Sequence, residues 1–249
     1  MSPDYVSPDG RIKLYNADCM DYMATLEPNA FDLAVVDPPY GLGEAGERIM
    51  TRGSKRGATR FWGTKNTRGT AIESTIFTPK QWDSEPPERK YFERLMRVSK
   101  NQIIWGANHF IDRLPPKFVA SPCWVVWDKE NGDSNFADCE LAWGSFRTAV
   151  RIFRFRWSGM LQGDMKNKEQ RIHPTQKPAK LYKWTYTKYA KLGARILGTH
   201  LGSGSSAIAA HYAGLDFVGI ELDKDYFDAA VARFEKETAQ QDMFGKGAA

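Results

Sequence analysis

Apolar residues fall along this chain in two spacings. Short runs, mostly β-branched or aromatic, recur at 11–16, 33–36, 102–105, 123–127, 139–143, 150–155, 195–199 and 217–221. Each is too short for a helix and predicts a strand. Apolar positions three and four apart predict helices over 20–26, 88–98, 179–192, 207–213 and 224–236. Asn131-Gly132 is a strong turn signal, and Gly193 is placed to stop the 179–192 helix. Residues 106–122 read as loop with one helical turn, and 157–171 as loop. The tail, 238–249, has little to bury and is expected to fray. Trp105, Trp124, Trp127, Trp143 and Trp157 are expected in the core rather than on a base-stacking surface.

The run at 33–36 ends in an unusual way. FDLAVVDPPYGLG, residues 31–43, passes from strand to Asp37, Pro38, Pro39 and Tyr40. Proline lacks the N–H that a central strand must donate, so the pair stops the strand. Asp37 and Tyr40 are then held at its carboxyl end, where open α/β sheets bind ligands. A carboxylate, carbonyls with no competing N–H and an aromatic ring suit a planar base with an exocyclic amine. An ordinary strand with a proline-rich turn would read the same on these residues alone.

A second motif lies near the other end. Strand, Gly202-Ser203-Gly204-Ser205-Ser206, helix, strand ending at Glu221, helix outlines a mononucleotide-binding βαβ unit. Glycines admit a ligand close to the backbone, and Glu221 is spaced to accept both hydroxyls of a ribose. The third glycine of the dinucleotide fingerprint and the lysine of a phosphate loop are both missing. That disfavours NAD and ATP, and leaves a nucleoside cofactor that needs no phosphate clamp. Asp18 also ends a strand, where it is either a helix N-cap or a ligand contact.

Composition narrows the class. At 249 residues, 42% hydrophobic and 26% charged, the chain reads as one large domain or one domain with an inserted lobe. No apolar run approaches the ~18 residues of a membrane span, and the first residues lack the apolar core of a secretory signal. A cytoplasmic location is therefore expected. Three cysteines without a CxxC pair and four histidines without ligand spacing argue against disulfides and metal. The net charge of +5 is unevenly spread. Residues 44–87 are long and aperiodic. Within them Arg48, Arg52, Lys55, Arg56, Arg60, Lys65 and Arg68 occur without an acid among them, around the aromatic pair Phe61-Trp62. A solvated loop would have the same composition. Its departure directly from the Asp37 turn argues instead for contact with nucleic acid.

Together the motifs resemble the DNA amino-methyltransferases, which use S-adenosylmethionine (SAM) to methylate adenine N6 or cytosine N4. Asp37-Pro38-Pro39-Tyr40 matches the family's catalytic DPPY motif. LGSGSS, residues 201–206, resembles the cofactor loop, and GIELD, 219–223, the ribose-binding strand end. HPTQKP, 173–178, is similar to the segment flanking the methionine part of the cofactor, and Asp18-Cys19 to the pair on its adenine. Catalytic motif first and cofactor loop last is the permuted order of the β class. Residues 99–156 look similar, more loosely, to phage and prophage members.

The resemblance implies a Rossmann-like α/β methyltransferase fold: a mostly parallel, seven-stranded sheet with helices on both faces. It implies Asp37, Pro38, Pro39 and Tyr40 as catalytic residues. Asp18, Cys19, Asp37, His173, Thr175, Lys177, Thr199, His200, Leu201, Gly202, Ser203, Gly204, Ser205, Glu221, Leu222 and Asp223 would hold SAM. Double-stranded DNA is the implied partner, with the seven basic residues on its phosphates and 44–87 plus parts of 106–170 in target recognition. A homodimer is common in the β class, though no sequence feature decides it. Adenine is the expected base, with cytosine N4 the alternative. One position departs from the pattern: Gly198 stands where the family usually has an acid that holds the SAM ammonium. A DNA-binding relative with impaired catalysis is therefore a further alternative.

Overall fold

The computed structural model describes residues 1–43, 83–132, 137–158 and 161–245. Its strands are β1 (Tyr5–Val6), β2 (Ile12–Asn16), β3 (Phe31–Val36), β4 (Ser99–Trp105), β5 (Cys123–Asp128), β6 (Cys139–Gly144), β7 (Arg151–Arg154), β8 (Trp157–Ser158), β9 (Leu161–Gln162), β10 (Arg195–Gly198) and β11 (Asp216–Glu221). The helices are α1 (Cys19–Ala24), α2 (Arg89–Val98), α3 (Pro116–Val119), α4 (Ala179–Tyr189), α5 (Ser205–Tyr212) and α6 (Lys224–Gly245). Nine strands form one sheet in the order β1-β2-β11-β10-β3-β4-β6-β5-β7, while β8 and β9 pair separately.

The middle of the sheet, β2-β11-β10-β3-β4, is parallel throughout. Then β6 runs antiparallel to both β4 and β5. The seven strands expected from the resemblance are those from β2 to β5 in this order. Two short additions, β1 and β7, extend the edges and make nine.

The apolar runs in β3, β4, β10 and β11 are nearly continuous because helices cover both faces. Leu33, Val35, Ile103 and Phe217 face α4, α5 and α6, meeting Leu181, Tyr186, Ile208 and Phe234. Ala34, Val36, Ile104, Leu197 and Val218 face the other way, onto Tyr22 and Met23 of α1 and Phe92 and Leu95 of α2. Burying each large side chain contributes roughly 1.5–3 kcal/mol, so both layers are held by the same strands. Trp105, Trp127, Trp143 and Trp157 are buried, as expected for core residues.

Two expectations are corrected. The last helix does not stop at 236, since α6 runs on to Gly245. Its inner face, Tyr226, Phe227, Ala230 and Phe234, is anchored on the sheet, and the next turn follows from it. The segment 157–171 is not all loop, because it contains the β8–β9 pair.

This topology fixes where a ligand must go. From β3 the chain crosses through α2 to β4 on one side. From β10 it crosses through α5 to β11 on the other. Between β3 and β10 the winding reverses, and a crevice opens at their carboxyl ends.

Candidate active site

Four parallel strands end at this crevice. Asp37 follows β3, Thr199 to Gly204 follow β10, Glu221 closes β11, and Asp18 comes two residues after β2. All of these but Gly204 line one cavity of about 990 Å³.

The Asp37 turn is held from three directions. Tyr40 Oη donates to Asp37 Oδ1 at 2.8 Å. Asp83, almost fully buried, accepts the N–H groups of Tyr40 and Gly41 on its Oδ1 at 2.8 and 2.9 Å. The Tyr40 ring stacks on His109 with centroids 5.0 Å apart and lies against Gly106. A Cβ on Gly106 would come within 2.0 Å of that ring, and its φ of +72° favours glycine. Gly106 is thus a seat for the tyrosine.

Lys177, expected on the cofactor side, is seated against the Asp37 turn. Its Nζ lies 2.6 and 2.7 Å from the two Asp37 oxygens and 2.9 Å from Tyr40 Oη. Glu140 of β6 adds Oε2 at 2.9 Å, and its other oxygen pairs with Lys129. Burial acts against every charge here. It pushes Asp37 above the usual carboxylate range, with Lys177 pulling the other way. Burial also opposes the Lys177 charge, but Asp37 and Glu140 outweigh it and keep the ammonium protonated. For Glu140 the two lysines overcome burial and hold the carboxyl at about 2.

The opposite wall is built on the glycine loop. Gly202 and Gly204 adopt φ of +53° and +73°, which turns the chain from β10 into α5. Gly202 N–H donates to Glu221 Oε2 at 2.8 Å, and Asp223 N–H to Oε1 at 3.0 Å. Glu221 thereby ties the loop to the neighbouring strand and keeps lone pairs for a ligand. Behind the loop, Arg233 donates to Ser203 O and Ser205 Oγ and pairs with Glu169. Asp18 caps α1 through Met20 N–H at 2.6 Å, so the N-cap role is real, and it also lines the cavity beside Cys19. Burial pushes the Cys19 thiol up to about 12, so it is a neutral contact. Thr199 shares hydrogen bonds with Tyr91 Oη at 2.6 Å and His200 Nδ1 at 3.0 Å. Burial lowers the imidazole of His200 to about 4 and leaves it uncharged. His173, Thr175, Leu201, Ser203, Ser205 and Leu222 line the same wall. Of the remaining expected contacts, Asp223 anchors the start of α6 by accepting Asp225 N–H.

These residues fit SAM. Acids at Asp18 and Glu221 favour hydroxyls and cations over phosphate, and the cavity is large enough for a nucleoside beside a base. At Gly198 the space that an acid would need is taken: a Cβ there would lie 2.9 Å from Phe217 Cζ.

Sequence reasoning missed Asp83, Glu140 and Lys129. The seven basic residues from Arg48 to Arg68 lie outside the described residues. Among the described residues there is no cluster of His, Cys, Asp and Glu that could hold a metal, and no helix long and apolar enough to cross a membrane.

Comparison with known proteins shows the family and the fold. Residues 104–232 match a family model described as DNA methylase. Over 96% of its length the chain is 21% identical to the type II methyltransferase M2.MboI of Moraxella bovis, covering 93% of that protein. It is 23% identical to M.ScaI of Streptomyces caespitosus over 94% of the chain and 84% of the relative. Among solved structures, the M1.HpyAVI–SAM complex superposes with a TM-score of 0.53 at 18% identity, over 89% of this chain and 99% of that one. The cytosine-N4-specific PvuII DNA methyltransferase gives 0.56 at 11% identity, over 97% and 94%. At these identities the structural likeness concerns the fold.

Proposed function

The chain belongs to the DNA methylase family, and on that premise we propose that it methylates the exocyclic N6 of adenine in duplex DNA. It is a SAM-dependent DNA amino-methyltransferase; the choice of adenine over cytosine is the proposal. One observation carries the assignment of chemistry. The Asp37 carboxylate, oriented by Tyr40, shares one cavity with Gly202, Ser203 and Glu221. Acceptor and cofactor wall thus face a common space.

The amine on adenine is a weak nucleophile because its lone pair is delocalised into the ring. Asp37 and the Pro38 carbonyl accept its two N–H bonds and turn the lone pair out of the ring plane. When bound, SAM supplies an electrophilic methyl group on its sulfonium. Positive charge grows on the amine as the N–C bond forms, and the Asp37 carboxylate opposes it. The methylated nitrogen then passes one proton to the Asp37 carboxylate, while the electron pair of the broken S–CH3 bond stays on the departing neutral thioether. Tyr40, pressed onto His109 and Gly106, offers its ring to the base. The base reaches this crevice only when extruded from the duplex. Arg48, Arg52, Lys55, Arg56, Arg60, Lys65 and Arg68 are proposed to contact phosphates, and 44–87 with parts of 106–170 to read the target.

Incubation with labelled SAM and mixed unmethylated DNA, then mass spectrometry of the nucleosides, tests the reading. N6-methyladenine is the expected product. N4-methylcytosine would keep the mechanism and reverse the base. The Gly198–Phe217 contact favours a second reading, a DNA-binding relative with impaired transfer. DNA binding with no methylated product would select it.

A further inference from the structure

Lys177 Nζ has more acceptors than protons. Both Asp37 oxygens, Tyr40 Oη and Glu140 Oε2 all lie within 2.9 Å of it. An ammonium has three N–H bonds, so one of these four contacts is always shared. Asp37 is engaged on both oxygens by Lys177, and Oδ1 also accepts from Tyr40. Yet this is the carboxylate that the target amine must reach.

We propose that Glu140 is a positioning residue for methyl transfer, which receives Lys177 when the target amine takes a place on Asp37. The inference rests on the reading of Asp37 as the amine's acceptor. Glu140 stands ready for this role. It comes from β6, on a different strand from Asp37, and Lys129 fixes its second oxygen. A small shift of Lys177 toward Glu140 leaves its three protons on Glu140 Oε2, Tyr40 Oη and one Asp37 oxygen. With Lys177 kept on Oδ1, which Tyr40 also engages, Asp37 Oδ2 is then free.

Charge gives the second argument. The amine becomes positive as it is methylated, and an uncompensated ammonium beside it would oppose the reaction. Asp37 and Glu140 together balance Lys177 and Lys129. Without Glu140 the four-residue cluster would carry a net positive charge next to the nascent cation. Among the described residues the phenol of Tyr182 and the indole of Trp105 also face it, and neither supplies a negative charge. Glu140 also keeps its ionised form more firmly than Asp37, because two lysines flank it.

The test is a double-mutant cycle on the full chain, E140Q, K177Q and both together, read by single-turnover methyl transfer at saturating SAM and DNA. In E140Q the transfer rate is expected to fall by about 10- to 100-fold, the size of a misplaced reacting group. SAM and DNA dissociation constants should stay within about threefold. In the K177Q background the same substitution should cost less than about threefold, because no ammonium remains to be received. A wild-type rate in E140Q overturns the proposal. So does an equal loss in both backgrounds, which would mark Glu140 as structural. If E140Q fails to fold, E140D replaces it and is expected to retain most of the rate, since it keeps the charge; a dead, folded E140D overturns the idea. A D37A control separates the two layers. Transfer surviving in D37A sinks the acceptor reading itself, whereas a dead D37A with an unaffected E140Q sinks this inference alone.

Discussion

Replacing Asp83 with alanine strikes the Asp37–Tyr40 turn without altering Asp37 or Tyr40 themselves. The side chain accepts two backbone N–H groups, from Tyr40 and Gly41, on a single oxygen. The residue is only 3% exposed, so water does not take over. Leaving a buried donor without a partner costs about 1–3 kcal/mol, which makes roughly 2–6 kcal/mol for the pair. The turn relaxes before the protein unfolds, because Asp37 to Tyr40 can move without disturbing β3. At about 1.4 kcal/mol per factor of ten, the population with Tyr40 on Gly106 should fall at least about 30-fold. Asp83→Asn keeps a carbonyl oxygen that can accept both N–H groups. It forfeits only the charge assistance, about 1 kcal/mol. Single-turnover methyl transfer should therefore drop about 30-fold or more in D83A and less than about tenfold in D83N. SAM affinity should hold in both, since Glu221 and the glycine loop belong to other strands. A D83A variant with wild-type transfer would refute the clamp. Equal losses in D83A and D83N would show that charge, and not hydrogen bonding, is what Asp83 provides.

Three further outcomes follow from the geometry. Gly198→Asp should destabilise the protein and leave SAM affinity no better, because its Cβ would overlap the Phe217 ring and overpacking costs about 1–3 kcal/mol. Thermal unfolding and SAM titration check it, and a G198D that binds SAM more tightly with an unchanged Tm would contradict the packing argument. His200 is held at about 4 by burial, well below the ordinary imidazole value, with Asp18 pulling weakly the other way. Between that value and ~6.5 the unfolded chain binds the extra proton, so stability falls as pH drops through this window. Urea unfolding at pH 7.5 and 5 should show a smaller loss in H200N than in wild type, and an equal loss would remove His200 from the account. Reversing Arg52, Arg56 and Arg60 to Glu should weaken DNA binding and flatten its salt dependence by about one unit of slope per lost phosphate contact; an unchanged slope would release this segment from the DNA-binding role.

Much of the site is legible because it is local. The Pro-Pro stop, the glycine loop and the acid at the end of β11 each declare themselves within a few residues, and strand ends gather by topology. Lys177 sits in a readable motif, but its direction is not local. Whether it turns to the glycine loop or to Asp37 depends on how α4 docks. Glu140 is harder still. It reaches the site only because β6 pairs antiparallel with β5, in a register that sets Glu140 opposite Trp127 and close to Lys129. No spacing in the sequence encodes that meeting. Asp83 is separated from its partners by the whole of 44–82. The β8–β9 pair is two residues per strand, too short for a period of two to be visible.

Gly43 N–H donates to Asp83 O at 3.0 Å. The described segments on either side of 44–82 therefore meet at one point, and in chain connectivity alone 44–82 is a branch joined there. Closing a branch becomes only about 0.6 kcal/mol harder for each doubling of its length. It can be lengthened, trimmed or exchanged without changing the register of β3 against β4. If that branch reads DNA, a new target sequence could be acquired by grafting there, while Asp83 at its base continues to hold Tyr40 for the chemistry.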